Sequence, residues 1–340
     1  MVARNLDART VERAVLGSVA LARGGGGDIE LGLRLGQIAV ELGRVSLVSL
    51  DALKPDARIV AVGTWGDGAG RASAYRLSDH RRAIDLLALN TRSEFSSIAP
   101  FGGGALNLMA SWSQAALLGV PLIDGVFGDG LDPCAGRGFV ELLAAEAAVV
   151  PLAMVRSGRE DGERQETFLR GNAGALVRQV GEIARGEGVH ALACGPLPLE
   201  WARKHAEPEG ISRAIQVGDA LLRARADGGG MAARAVSQAL GGEGVTRGIV
   251  SGVDRTTRDG ASLVTVTLLD EADCRLKLTH WHRYLSLHVD EQQVAAFPDL
   301  IVTLGATGTP LQVEELTEGQ DVYIVTAQGA QAARDGIGAA

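Results

Sequence analysis

The sequence predicts an α/β protein: a layered domain on a mostly parallel sheet, joined to a small antiparallel module of β-barrel character. Three observations carry this. Between residues 45 and 150, short apolar β-type runs alternate with helix-like segments, the order that builds a parallel sheet. From Gly244 onward helical spacing stops, and short β-type runs follow one another across turns. Apolar residues make up 46% of the chain and aromatic ones 4%, so the cores are expected to be built from Ala, Val, Leu and Ile.

Thr10 to Ala22 carries Val11, Ala14, Val15 and Val19 at helical spacing, and Ile29 to Leu42 repeats the pattern through Leu31, Leu35, Ile38, Ala39 and Leu42. Between them stands Gly24-Gly25-Gly26-Gly27-Asp28. Fixing four glycines is entropically costly, so the run is either a flexible connection or a backbone-lined pocket. Asp28 is placed as the N-cap of the second helix. Val45 to Leu50 and Ile59 to Val62 read as strands, and Gly63-Thr64-Trp65-Gly66-Asp67-Gly68 ends the second of them. Ser78 opens a helix to about Asn90. Ser97 to Pro100 is short and apolar, Phe101 to Gly104 breaks the chain, and Ala105 to Leu118 reads as a buried helix. Val120 to Ile123 is a strand ending at Asp124-Gly125.

Residues 125 to 138 form a loop, Glu141 to Ala148 a helix, and Val149 to Val155 an extended run. Arg156 to Arg164 is a charged turn. A helix over about 172 to 185, a strand over 189 to 194 and a helix from Leu197 continue the alternation. Glu209-Gly210-Ile211-Ser212 opens a further helix, closed by Asp227 to Gly230. The β-type runs of the module are Ile249 to Val253, Leu263 to Leu268, Arg275 to His280 and Tyr284 to Val289. Leu300 to Leu304 and Val322 to Val325 are expected to return to the main sheet. This gives an N-terminal α/β domain over 1–163, a C-terminal region over 164–330 containing the β module at about 244–292, and a disordered tail over 331–340. There is no internal repeat.

The balance of 33 basic and 41 acidic residues gives a net charge of −8, and no basic stripe is present, which argues against nucleic acid as a partner. Cys134, Cys194 and Cys274 are far apart and form no CxxC pair, as suits a reducing compartment. The first nine residues hold charges and no apolar stretch, and no apolar run approaches the ~18 residues of a membrane span. The expectation is a soluble cytoplasmic protein, with a small molecule as partner and room for self-association.

In open α/β sheets ligands bind at the C-terminal ends of the strands. Asp124 is expected at that edge, and Asp28 with its glycine loop can share it. Two carboxylates there would act as general base and general acid, although Asp124 also reads as a plain turn residue. Gly102, Gly103 and Gly104 precede a helix and lead to Asn107, so free N–H groups would face a developing anion. Cys194, at the end of a strand, is a candidate thiol at the same edge; a buried inert thiol is the commoner state. His280-Trp281-His282 is the best metal candidate. Residues two apart on a strand share a face, which would suit two zinc ligands, and His288 has the same parity but lies too far along a straight strand. No third ligand is evident, so neither a metal nor an organic cofactor is expected, zinc being the alternative.

With these loops in view, the chain resembles the S-methyl thiohydantoin desulfurase-like family, associated with hydantoinase and oxoprolinase proteins. The resemblance runs from about Val11 to Val325. It is carried by Ala22 to Asp28, Val48 to Leu53, Val60 to Gly63, Gly102 to Asn107, Gly119 to Asp124 and Gly136 to Leu142. Further on it is carried by Glu209 to Ala214, Phe297 to Ile301 and Glu314 to Gln320. It implies an α/β layer with a β-barrel-like module, and hydrolysis of a methylthio group from a thiohydantoin ring. Asp28, Asp124 or Glu141 would activate water and Arg137 would hold a ring oxygen or an anionic group. Backbone of Gly25, Gly26, Gly27, Gly103 and Gly104, with Asn107 and Cys194, would line the substrate. The chain departs from the family pattern in three places. Phe101 to Gly103 supply no acid before the second glycine cluster. A stretch holding Asp129, Asp132 and Cys134 separates Asp124 from Arg137. His280 to Tyr284 replace a Gln-Asn-Glu-Asn type segment. The alternatives are a non-catalytic binding or partner subunit of a hydantoinase-type system and a zinc-dependent amidohydrolase.

Overall fold

The computed structural model describes residues 4–65, 76–127, 149–158, 163–184, 189–242, 244–258 and 261–329. The chain divides into two compact units, Met1–Val11 with Asp28–Ser212, and Glu12–Gly27 with Arg213–Ala340.

The first unit is the α/β layer. It contains β1 (Arg4–Leu6), the start of α1 (Ala8–Leu21), α2 (Ile29–Leu42), β2 (Val45–Val48), β3 (Arg58–Trp65), α3 (Leu77–Thr91), β4 (Ser97–Pro100), α4 (Ala105–Leu118) and β5 (Leu122–Ile123). It continues with β6 (Gly125–Val126), β7 (Val150–Ser157), β8 (Arg164–Gly171), α5 (Ala173–Ala184), β9 (His190–Pro198), α6 (Leu199–His205) and β10 (Glu207–Pro208). One eight-stranded sheet has the order β1-β2-β5-β4-β3-β9-β7-β8. Its centre, β2, β5, β4 and β3, is parallel, as the strand–helix–strand order requires. Antiparallel strands flank it: β1 on one side, and β9, β7 and β8 on the other.

The parallel strands read as continuous apolar runs because both faces are covered. Ile59, Val60, Ala61 and Val62 are all fully buried. Helix α4 is buried on nearly every face, from Leu108 through Ala115. Helices α2 and α4 pack in the same direction. Ser113 Oγ donates to the Leu35 carbonyl at 3.2 Å, and Gly43 lies against the Ala116 carbonyl. Their N-termini therefore sit side by side, at the C-terminal end of the parallel strands.

The second unit holds the rest of α1, most of α7 (Gly210–Ala224), α8 (Gly229–Ala239) and a seven-stranded antiparallel sheet. Its strands are β11 (Gly244–Arg258), β12 (Ala261–Leu269), β13 (Arg275–Trp281), β14 (Arg283–Val289), β15 (Gln292–Ala296), β16 (Leu300–Gly305) and β17 (Asp321–Ala327). The order is β15-β14-β13-β12-β11-β17-β16, and β14 and β15 curl back against β16 to make a half-barrel. Alternate residues, Val264, Val266 and Leu268 with Leu276 and Leu278, line its core. Here the structure corrects one expectation. β16 and β17 do not return to the main sheet; β17 pairs with the first half of β11, from Gly244↔Thr326 to Ile249↔Asp321. Helices α1 and α7 cross at Gly17 and Gly218, where any side chain would collide with the Ala214 and Arg13 carbonyls. Among the described residues no helix is long and apolar enough to cross a membrane.

Candidate functional site

The edge of the α/β layer gathers several of the expected residues. Asp28 caps α2 as expected, with extended backbone (φ −67°, ψ 115°) and Oδ1 accepting from the Leu31 N–H at 3.0 Å. Its side chain is exposed. Gly104 occupies the N-cap of α4 at φ 89°, ψ 166° and supplies no side-chain cap. The first N–H groups of α4 consequently receive no side-chain cap from Gly104. Gly103 is exposed, and a Cβ there would touch nothing within 4 Å.

Asn107 is held differently from a ligand-binding amide. Its Oδ1 accepts from the Thr64 N–H at 2.8 Å and the Thr64 hydroxyl at 2.7 Å, and its Nδ2 donates to the Gly103 carbonyl at 3.1 Å. It ties the glycine loop ahead of α4 to the C-terminal end of β3. Asp124 stands where the strand reading put it, just after β5. Its carboxylate is occupied: Oδ1 accepts from the Ser212 N–H at 3.0 Å and Oδ2 from the Ser212 hydroxyl at 2.5 Å. Its own backbone bonds Val48 and Glu209. Asp124 thus caps the first turn of α7, and sequence reasoning missed Ser212 as its partner. The only signal was that both residues lie in segments carrying the family resemblance.

Cys194 does not reach the edge. It lies on β9 with no exposure, inside the apolar core with Ile59, Leu152 and Leu192. Burial pushes its thiol well above the ordinary range, so it is neither nucleophile nor substrate contact. Arg137, Glu141 and Cys134 lie outside the described residues.

The tetraglycine run belongs to the half-barrel unit. The Arg23 carbonyl accepts from the Tyr284 N–H at 2.8 Å and the Gly24 carbonyl from the Val313 N–H at 3.0 Å. The Gly27 N–H donates to Gln312 Oε1 at 3.0 Å, and the Gly25 N–H to the Ala22 carbonyl at 3.1 Å. Glycine is required at position 24, where φ is +87° and a Cβ would stand 2.7 Å from the Tyr284 ring. A Cβ at Gly25 would meet the His282 carbonyl at 2.8 Å, and one at Gly26 the Val19 backbone at 2.6 Å. The N–H groups of Gly25 and Gly27, expected on a substrate, are therefore spent on the fold. Gln312 and Tyr284, which fasten the turn, were not singled out from the sequence.

The zinc reading fails on strand geometry. β13 ends at Trp281, and His282 forms the tip of the hairpin with φ 59°. His280 is buried and His282 exposed, so they do not share a strand face. Among the described residues no group of three His, Cys, Asp or Glu is arranged to hold a metal ion.

Fold and edge define a class: a two-part α/β protein with an open strand edge in one unit and a glycine turn locked onto a half-barrel in the other. The chain belongs to the S-Me-THD-like family, whose N-terminal domain matches residues 9–154 and whose C-terminal domain matches residues 173–339. No curated protein matches it. Among solved structures it is similar to the crystal structure of a protein from Chromobacterium violaceum, at 16% identity and a TM-score of 0.65, covering 95% of this chain and 91% of that one. That likeness bears on the fold.

Proposed function

We propose that the protein is a hydrolase of a small hydantoin-like ring, acting at the carbon that bears a methylthio group. Water adds to the C=N carbon, the C–S bond breaks, and the departing thiolate takes a proton to leave as methanethiol. The ring keeps the water oxygen as a carbonyl. The observation that carries the reading is the presence, at one strand edge, of an exposed carboxylate and a helix start without a side-chain cap. Asp28 keeps one oxygen on the α2 backbone, while Oδ2 has no protein donor among the described residues and serves as the base. The N–H groups at the start of α4 stabilise the negative charge that develops on the ring nitrogen. Asn107 acts as a positioning residue for that loop. Asp124 keeps its place as the cap of α7 rather than as a second acid. Arg137 and Glu141 enter through the family resemblance, as a ring-oxygen clamp and an auxiliary acid.

The family name supports a desulfurising hydrolase, and the fold supports a ligand at the strand edge. The test is thiol release from S-methyl thiohydantoin by the purified full chain. Asp28→Asn preserves the cap, because Asn is as good an N-cap as Asp. It is expected to lower kcat/KM by roughly 10²- to 10⁴-fold with an unchanged melting temperature. Tight ring binding by the wild-type chain without any thiol release would replace the hydrolase with a non-catalytic binding protein.

A further inference from the structure

A cavity of about 570 Å³ opens in the half-barrel unit, between the start of α8 and the strands β11 and β17. That volume lies in the range of small-molecule pockets, roughly 300–1,000 Å³. One corner of it is tightly built. The Gly229 N–H donates to the Ala306 carbonyl at 2.9 Å, and a Cβ at Gly229 would stand 2.8 Å from the Tyr323 ring. A Cβ at Gly230 would lie 3.3 Å from the same ring. Glycine at both positions thus lets the first turn of α8 settle against the phenol. Arg247, opposite Tyr323 in the β11–β17 pairing, forms another wall. Met231, Val245 and the Tyr323 ring make part of the lining apolar.

The polar groups of the cavity divide into spent and unspent ones. Arg247 is spent: Nε and Nη2 each donate to Asp321 at 3.0 Å, and Nη1 donates to Glu271 at 2.8 Å. Arg234, in the second turn of α8, is not. Among the described residues its guanidinium has neither an ion pair nor a hydrogen bond. A helical side chain leans toward the helix N-terminus, which carries Arg234 toward the glycine corner. Arg234 also borders a second cavity, of about 300 Å³, with Ser237, Gln238 and Gly244. The hydroxyl of the half-buried Tyr323 likewise bonds nothing among the described residues. The N–H groups of Gly230 and Met231 find no acceptor there either, because Gly228 caps α8 without a side chain. Asp227 lines the same cavity as an exposed carboxylate with no ion pair among the described residues.

A guanidinium, a phenol and backbone N–H groups around one cavity offer several donors to a planar anion. Asp227 disfavours a second negative charge on that anion, and the apolar lining favours a carbon body. We propose that the cavity binds a small monocarboxylate with an apolar body, and that Arg234 takes the carboxylate. The inference does not rest on the hydrolytic reading. Every lining residue belongs to the half-barrel unit, and the test needs no ring substrate.

The experiment is NMR of backbone amides and arginine side chains in the full chain, titrated at neutral pH and constant ionic strength with sodium benzoate, benzamide or sodium phosphate. Benzoate is expected to displace the Gly230, Met231 and Arg234 Nε signals together and saturably. Benzamide has the same shape without the charge and is expected to bind roughly threefold more weakly or less tightly still. Phosphate, whose second charge meets Asp227, is also expected to bind more weakly than benzoate. Arg234→Gln changes an exposed side chain and is expected to weaken benzoate roughly threefold or more. Benzamide binding as tightly as benzoate, or phosphate binding more tightly, would overturn the monocarboxylate. No saturable displacement of these signals, or equal benzoate affinity in Arg234→Gln, would overturn the site itself.

Discussion

Two glycines separate a packing role from an open one. At Gly24 the backbone is left-handed (φ +87°), and a Cβ would press 2.7 Å from a ring that is itself fully buried. Strain and overpacking act together there, and Gly24→Ala is expected to lower stability by about 2–4 kcal/mol. At Gly103 a Cβ meets nothing and the backbone is not left-handed. Gly103→Ala is expected to change stability by less than about 1 kcal/mol. Paired urea denaturation curves check both, and equal losses would remove the distinction. The same contrast explains what a single sequence shows. Asp28 was legible as an N-cap because its partner, Leu31, is three residues away. Asp124 was legible only by position, because the group that occupies it comes from Ser212, 88 residues on.

At the level of elements, the Asp124–Ser212 contact ties the end of β5 to the first turn of α7, which holds no acid within that turn. Asp124→Ala is expected to cost about 1–3 kcal/mol by releasing both the N–H and the hydroxyl. Ser212→Ala should cost less, since the N–H bond survives. A double-mutant cycle read by denaturation midpoints should give a coupling of more than about 0.5 kcal/mol, and strict additivity would exclude the contact. The elements with clear apolar periodicity, α1, α2, α4 and β12 to β14, were legible. β8 was not: its sequence RQETFLRG is half-exposed and charged, so its pairing with β7 leaves little apolar signal. β15 was missed for a similar reason, with Gln292, Gln293 and Val294 all exposed. The pairing of β17 with β11 is a long-range choice between two sheets, and an apolar run alone does not say which sheet it joins.

Across the whole molecule, each compact unit carries a buried imidazole held neutral: His80 in one and His280 in the other. In the α/β unit, burial lowers His80 to about 4, against the opposing pull of its bond to the Gly63 carbonyl at 3.0 Å and of Asp79. In the half-barrel unit, burial, His282, Arg283 and Arg255 lower His280 to about 3. Both values lie below the ordinary 6.5, so between pH 6.5 and these values the unfolded chain binds more protons than the folded one. Stability therefore rises with pH in that window and falls as the solution is acidified through it. Each imidazole contributes a slope of up to about 1.4 kcal/mol per pH unit. Denaturation between pH 6.5 and 5, above the range where most carboxylates titrate, isolates this effect. If the units unfold in one transition, the slope approaches that of two protons, about 2.7 kcal/mol per pH unit. If they unfold separately, each transition carries one, and His80→Gln flattens only the transition that belongs to the α/β unit. A stability that is level across this range would show that neither imidazole is buried in the neutral form.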